Sequence, residues 1–264
     1  MKKLLILSLS LMALYSCKTE NKKQEAEPAE TENTAMTTQQ EENSDFDINP
    51  IEHASAVFTW GDSVFYIDPV GGAEAYTNQP EPDVILVTDI HGDHLNPETL
   101  QAVAKDSTKI IVPQAVADQL EGDITSQLTI MGNGENENID GFMIEAIPMY
   151  NLREEAKQFH TKGRGNGYVL EKDGMRVYFS GDTEDIPEMR NLKDIDKAFV
   201  CMNLPYTMTV EKAAEAVLDF KPKEVYPYHY RGGEGLSDVD KFKKLVNDAD
   251  SNIEVVQLNW YPEM

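Results

Sequence analysis

From about residue 48 onward the chain is a succession of short apolar runs separated by polar turns. Ala56-Val57-Phe58-Thr59-Trp60 and Val64-Phe65-Tyr66-Ile67-Asp68-Pro69 flank Gly61-Asp62-Ser63, which predicts a hairpin. Val84-Ile85-Leu86-Val87 and Ile110-Ile111-Val112 are apolar and rich in β-branched residues, the pattern of buried strands. Asn96-Pro97-Glu98-Thr99 opens a helix over residues 97–105, with Asn as cap and Pro at the first helical position. Residues 113–120 predict a short helix closed by Gly122. Residues 132–140 read as a polar turn and 142–147 as a strand. Residues 151–166 read as an irregular loop, with Gly163, Gly165 and Gly167 keeping it so. A second hairpin is expected over 167–170 and 176–180, followed by a strand at 199–202. Thr209 caps a helix to about residue 220, a strand spans 224–228, and Ser237-Asp238-Val239-Asp240 forms a capping box for a helix to about residue 246. A last strand covers 253–258. Strands crowd the first half and alternate with helices in the second, which predicts an α/β architecture of sheets enclosed by helices. No fixed-period repeat and no second domain boundary is visible.

The N-terminus changes the picture. Lys2 and Lys3 precede an apolar run from Leu4 to Leu14, too short to span a bilayer and suited to the core of a signal peptide. It ends at Leu14-Tyr15-Ser16-Cys17, which resembles the lipobox of bacterial lipoproteins. That resemblance implies that residues 1–17 form a lipoprotein signal ending at Cys17, the lipidated residue. Residues 18–47 carry Glu, Thr, Asn, Gln and Lys with almost no large apolar side chain, the composition of a disordered acidic tether. Residues 48–264 form the folded domain. The expected address is the cell envelope, at the periplasmic face or the cell surface. Cys201, the other of the two cysteines, lies in an apolar run and is expected to be a buried core residue. The formal net charge of −24 leaves no basic excess to meet a phosphate backbone, so nucleic acid is not an expected partner.

The candidate chemistry sits where strands end. Asp89-Ile90-His91-Gly92-Asp93-His94 directly follows the strand at 84–87 and holds two aspartates and two histidines in six positions. Imidazole and carboxylate together suit zinc, manganese or iron. His160, Asp182 and His229 also follow predicted strands, which makes seven possible ligands in all and uses four of the five histidines. His53 is the fifth and is expected to line the pocket, where it could contact substrate and relay a proton.

These residues resemble the signature of the metallo-β-lactamase fold superfamily: HxHxDH, a lone His, an Asp in a Gly-Asp-Thr/Ser setting, and a last His. Here they stand as Asp89-x-His91-x-Asp93-His94, His160, Gly181-Asp182-Thr183 and Tyr228-His229. His53-Ala54-Ser55 and Phe159-His160-Thr161-Lys162-Gly163 narrow the likeness to the branch of L-ascorbate-6-phosphate lactonase and N-acyl phosphatidylethanolamine phospholipase D. The resemblance implies a four-layer αββα sandwich and two divalent metal ions. Asp89, His91 and His160 would hold one ion, and Asp93, His94 and His229 the other. Asp182 would bridge them. Zinc is the first expectation, with manganese or iron as alternatives. Asp89 stands where the family has its first His, which favours harder metals or weakens that position.

The resemblance also implies a hydrolase. A bound divalent cation lowers the pKa of water to about 7, so that hydroxide is available at neutral pH. Asp93 would orient the nucleophile and Asp182 would hold the metals. The expected bond is an ester, lactone or phosphodiester in a small or lipid-like substrate. Lys162, Arg164 and Arg231 flank His160 and His229 in sequence and are candidates to receive an anionic group. Trp60, Tyr206 and Trp260 are expected to serve packing. The alternatives are a non-catalytic, metal-binding envelope lipoprotein and, less in keeping with the motifs, a β-lactamase.

Overall fold

Alternation decides which face of each strand is buried, and here it separates two cores. The computed structural model describes residues 46–262. The expected signal segment, Cys17 and nearly all of the tether lie outside the described residues. β1 (Phe46–Glu52), β2 (Ser55–Trp60), β3 (Ser63–Ile67), β4 (Val84–Leu86), β5 (Lys109–Val112) and β6 (Leu128–Ile130) form one sheet in that order. The first three strands are antiparallel and the rest join in parallel. Phe65 and Ile67 of β3, Val84 and Leu86 of β4, and Ile111 of β5 face the larger core. Tyr66, Ile85, Ile110 and Val112 face the opposite way, into a smaller core with Leu100 and Val116. Leu100 belongs to α1 (Pro97–Val103) and Val116 to α2 (Gln114–Ala117), so these helices cover the outer face.

The second sheet has seven strands. β7 (Asn136–Ile139), β8 (Phe142–Met149), β9 (Gly165–Lys172) and β10 (Met175–Phe179) run antiparallel. The one-turn helix α3 (Pro187–Arg190) precedes β11 (Lys197–Cys201), and α4 (Val210–Phe220) precedes β12 (Glu224–Tyr228). A small ribbon, β13 (Arg231–Gly232) with β14 (Gly235–Leu236), leads to α5 (Val239–Ala249) and β15 (Glu254–Val255). β10, β11, β12 and β15 pair in parallel. Val210, Ala213, Ala214, Val217 and Phe220 recur at helical spacing, and all are buried in the larger core. The layers are therefore helix, sheet, sheet, helix, the expected sandwich. A ladder of rings ties the sheets together: Phe65 on Phe58 at 4.8 Å, Phe58 on Phe179 at 5.2 Å, and Phe179 on Phe199 at 4.4 Å. Each such pair contributes about 0.5–1.5 kcal/mol beyond its buried area.

Several elements differ from expectation. Residues 132–140 are not simply a turn, since β7 occupies part of them. Asn136–Ile139 forms an edge strand, almost wholly exposed, so its polar side chains carry no alternation to read. β1 also escaped the pattern; it is an edge strand with Pro50 beside a register shift, where a missing ladder donor is tolerated. The helix after Pro113 is a single turn. The cap of α5 is Asp238, whose side chain accepts from Lys241 N; Ser237 instead donates to Met202 O. The final strand is only Glu254–Val255. Gly165 and Gly167 lie inside β9, not in a loop. A Cβ on Gly165 would stand 2.7 Å from Thr88 O, and one on Gly167 would stand 2.8 Å from Phe179 O. Gly165 thus permits close approach of the other sheet, and Gly167 close approach of the neighbouring strand β10, both next to the site.

Candidate metal centre

Every strand that supplies the site ends at the same edge of the sandwich. Asp68 follows β3, the Asp89–His94 loop follows β4, His160 lies between β8 and β9, Asp182 follows β10, and His229 follows β12. His53 sits in the turn between β1 and β2. His53, Asp68 and His229 have positive φ values of 53°, 46° and 46°, so the chain bends sharply at each. Asp89, His94, His160, Asp182 and His229 are buried, and His91 and Asp93 are half-buried.

Asp182 lies at the centre. Its Oδ2 is 3.1 Å from His160 Nε2 and 3.5 Å from His94 Nε2, and its Oδ1 is 3.3 Å from His229 Nε2. Asp93 Oδ2 is 3.4 Å from His229 Nε2. On the other side, Asp89 Oδ2 is 2.7 Å from His91 Nδ1 and 4.0 Å from His160 Nε2. All seven sequence-predicted ligands therefore converge. Six of them form two groups that share the neighbourhood of Asp182: His94, Asp182 and His229, and Asp89, His91 and His160; the seventh, Asp93, stands beside His229.

The donor chemistry fits a cation in the first group. His94 Nδ1 lies 2.8 Å from Asp68 Oδ2, a buried carboxylate that also accepts from Thr88 N and Thr88 Oγ1, each at 2.7 Å. Asp68 thus holds the His94 proton on Nδ1 and leaves Nε2 facing inward, as outer-shell carboxylates do for metal-binding imidazoles. His94 Nε2 then meets His229 Nε2 at 3.0 Å, a contact that requires a proton or a metal ion between the rings. His229 Nδ1 and Asp182 Oδ1 are buried without a hydrogen-bond partner. Complete burial favours the neutral form of His94, but Asp182 and Asp68 outweigh it and hold its pKa well above the usual value. Burial likewise works against ionised Asp182 and Asp93. Facing histidines hold both carboxyls well below the usual range: His229, His94 and His160 around Asp182, and His229 and His53 beside Asp93. The geometry is poised to exchange a proton for a cation.

A third group, His53 with Asp93 and His229, also lies within ligand distance. Tyr261 fixes the proton position on His53. The Tyr261 hydroxyl accepts from Tyr230 N and Arg231 N, both at 3.0 Å, so its own proton goes to His53 Nδ1 at 2.7 Å. His53 Nε2–H therefore points at Asp93 Oδ2, 3.4 Å away. Burial lowers the His53 pKa to about 4, despite Asp93. His53 is a neutral donor that orients Asp93.

The site opens into a cavity of about 350 Å³, lined by His91, Asp93, Phe159, His160, Asp182, Asn203 and Tyr206. Buried Glu184 shapes its rim: it accepts from Leu152 N and Arg153 N and pairs with the Arg153 guanidinium, which donates onward to Pro205 O and Thr207 O. These bonds tie the loop carrying Phe159 and His160 to the one carrying Asn203 and Tyr206.

Neither His53 nor the candidate anion receptors are among the residues that line this cavity. Lys162 turns to Glu188 at 2.7 Å and to the Tyr150 hydroxyl. Arg231 lies over the Tyr261 ring. Arg164 grips Asp89. Trp60 and Trp260 are buried packing residues as expected, but Tyr206 is 39% exposed and lines the cavity edge-on to Phe159. Cys201 is buried, and burial pushes its thiol up to about 12. Asp68 and Tyr261 were not among the sequence candidates. Asp68 had one legible signal, an acid at a strand end before Pro69.

Comparison with known proteins agrees with the geometry. The family profile described as "Beta-lactamase superfamily domain" matches residues 47–229, more than half of the chain. The UPF0173 metal-dependent hydrolase of Thermococcus onnurineus is 32% identical over 181 residues, covering 67% of this chain and 80% of that protein. That of Pyrococcus abyssi is 31% identical over 206 residues, covering 74% and 89%. Among solved structures, a candidate metal-dependent hydrolase from Parabacteroides distasonis superposes with TM-score 0.72 at 40% identity, covering 82% of this chain and 94% of that one. Igni18, a metallo hydrolase of Ignicoccus hospitalis, shares the fold at TM-score 0.67 and 22% identity. By sequence, fold and site, the chain belongs to the metallo-β-lactamase superfamily and, within it, to the metal-dependent hydrolases.

Proposed function

We propose that this protein hydrolyses an ester, lactone or phosphodiester of a small or lipid-like molecule at a centre of two divalent metal ions, zinc first among them. The observation that carries the reading is the convergence of His91, Asp93, His160 and Asp182 on one cavity, with His94 and His229 buried directly behind Asp182 and Asp93. Asp93, Asp182, His94 and His229 would hold one ion, and Asp89, His91 and His160, with Asp182 shared, the other. Divalent ions supply Lewis-acid polarisation and lower the pKa of water to about 7. Asp93 is 43% exposed and faces the cavity with His53 behind it, placed to orient the attacking water. Phe159 and Tyr206 give the cavity an apolar wall. Among the described residues, none of those lining it is Lys or Arg, which favours esters and lactones over phosphodiesters. His53-Ala54-Ser55 and the Phe159-to-Gly163 run support the branch of ascorbate-6-phosphate lactonase and N-acyl phosphatidylethanolamine phospholipase D. Lipidation at Cys17 would place the enzyme at a membrane of the cell envelope, within reach of lipid-like substrates.

The test is turnover of a panel of esters, lactones, phosphodiesters and nitrocefin by metal-loaded protein, beside His91→Ala and Asp182→Ala. Ester or lactone hydrolysis, abolished by either substitution in a folded protein, is expected. Nitrocefin turnover alone would identify a β-lactamase. Metal binding with no turnover would favour the non-catalytic reading, to which the Arg164 grip on Asp89 lends support.

A further inference from the structure

The two cation positions differ in their surroundings. Around His94 and His229 the nearest charged groups are Asp93, Asp182 and, behind His94, Asp68. Around His91 and His160 the carboxylates are Asp182, shared with the first position, and Asp89, which is already engaged. Arg164 Nε donates to Asp89 Oδ1 at 3.1 Å and Nη2 to Oδ2 at 2.8 Å, a two-pronged grip on a fully buried carboxylate. Oδ2 is the same oxygen that faces His91 Nδ1 and His160 Nε2. Arg164 Nη2 is held further by Phe159 O at 2.5 Å and stands 3.5 Å from His91 Nε2. The guanidinium is permanently charged, so it cannot yield by losing a proton.

Resting on the metal-centre reading above, we propose that Arg164 competes with a metal ion for Asp89, so that the two positions fill in sequence. The His94–Asp93–Asp182–His229 position takes the first ion. The Asp89–His91–His160 position takes the second only against the guanidinium charge and at the expense of its grip on Oδ2. Arg164 thereby sets the metal concentration at which the centre is complete. It is a positioning residue for Asp89, not a receptor for substrate.

The experiment is a zinc titration of metal-free, full-length protein against a chromophoric chelator, with elemental analysis of the desalted product. Wild type is expected to retain one equivalent and to bind the second at least ~10-fold more weakly, the scale of effect that neighbouring groups exert on metal affinity. Arg164→Met is expected to tighten the second equivalent by about 10- to 100-fold and leave the first unchanged. Asp89→His, which gives Arg164 no carboxylate to hold, tests the same point should Arg164→Met fail to fold, and it too is expected to tighten the second. Two equally tight ions in wild type would overturn the proposal and leave the metal centre intact. So would a second ion that binds Arg164→Met no more tightly than wild type. Absence of bound zinc from all three proteins would overturn the metal-centre reading itself and this proposal with it.

Discussion

Asp68→Asn isolates what one buried carboxylate does for the centre. Asp68 sits at φ 46°, a backbone conformation that Asn adopts readily, so the substitution leaves the chain path and side-chain volume in place. Its carboxylate accepts three donors: Thr88 N, Thr88 Oγ1 and His94 Nδ1. An asparagine oxygen can keep Thr88 N, but its amide then presents N–H groups where Thr88 Oγ1 and His94 Nδ1 need an acceptor. The His94 ring must then hold its Nδ1 proton against Thr88 Oγ1, a neutral acceptor 3.0 Å away, or move it to Nε2. The first weakens the hold that aims the nitrogen 3.0 Å from His229 Nε2, and the second removes its lone pair. Loss of such an outer partner costs metal affinity about 10- to 100-fold, or about 1.4–2.8 kcal/mol. Competition between the protein and a chromophoric chelator for zinc measures this directly, with circular dichroism as the check on folding. Unchanged zinc affinity in a folded Asp68→Asn protein would refute the reasoning.

Other consequences follow from single contacts. Gly165→Ala should lower stability by about 1–3 kcal/mol in chemical denaturation, because its Cβ would stand 2.7 Å from Thr88 O; an undiminished midpoint would show that the strand has room to shift. Cys201 in a Cys17→Ser protein should resist alkylation at pH 8.5 while folded and react fully in denaturant, since burial pushes its thiol up to about 12. In metal-free protein the raised pKa of His94 contributes stability that is complete below the ordinary histidine value of about 6.5 and is lost as pH rises from there toward the folded value. Its Tm should therefore fall between pH 6 and pH 9, and a rising Tm would contradict the assignment.

The seven candidate ligands were legible because each follows a strand and the strands share an edge, so sequence position carried spatial meaning. The antiparallel hairpin, the buried strands at Val84 and Ile110 and the Asn96 and Thr209 caps were legible for similarly local reasons. What stayed hidden depends on partners far apart in sequence. Arg164 and Asp89 are 75 residues apart and Tyr261 and His53 are 208 apart; no spacing rule links them. Nearness in sequence to His160 suggested that Lys162 and Arg164 face a substrate, but backbone direction sends one to Glu188 and the other to Asp89. The glycines of β9 look like loop residues in a string of letters. Only the approach of Thr88 O and Phe179 O shows that they are strand residues with no space for a side chain.

The most direct test of the account is anomalous diffraction at the zinc edge from crystals of the zinc-loaded protein. The account predicts a peak between His94 and His229, about 2.0–2.1 Å from both Nε2 atoms and within bonding distance of an Asp182 oxygen. A well-ordered site without that peak, with the two imidazoles still facing one another, would contradict it.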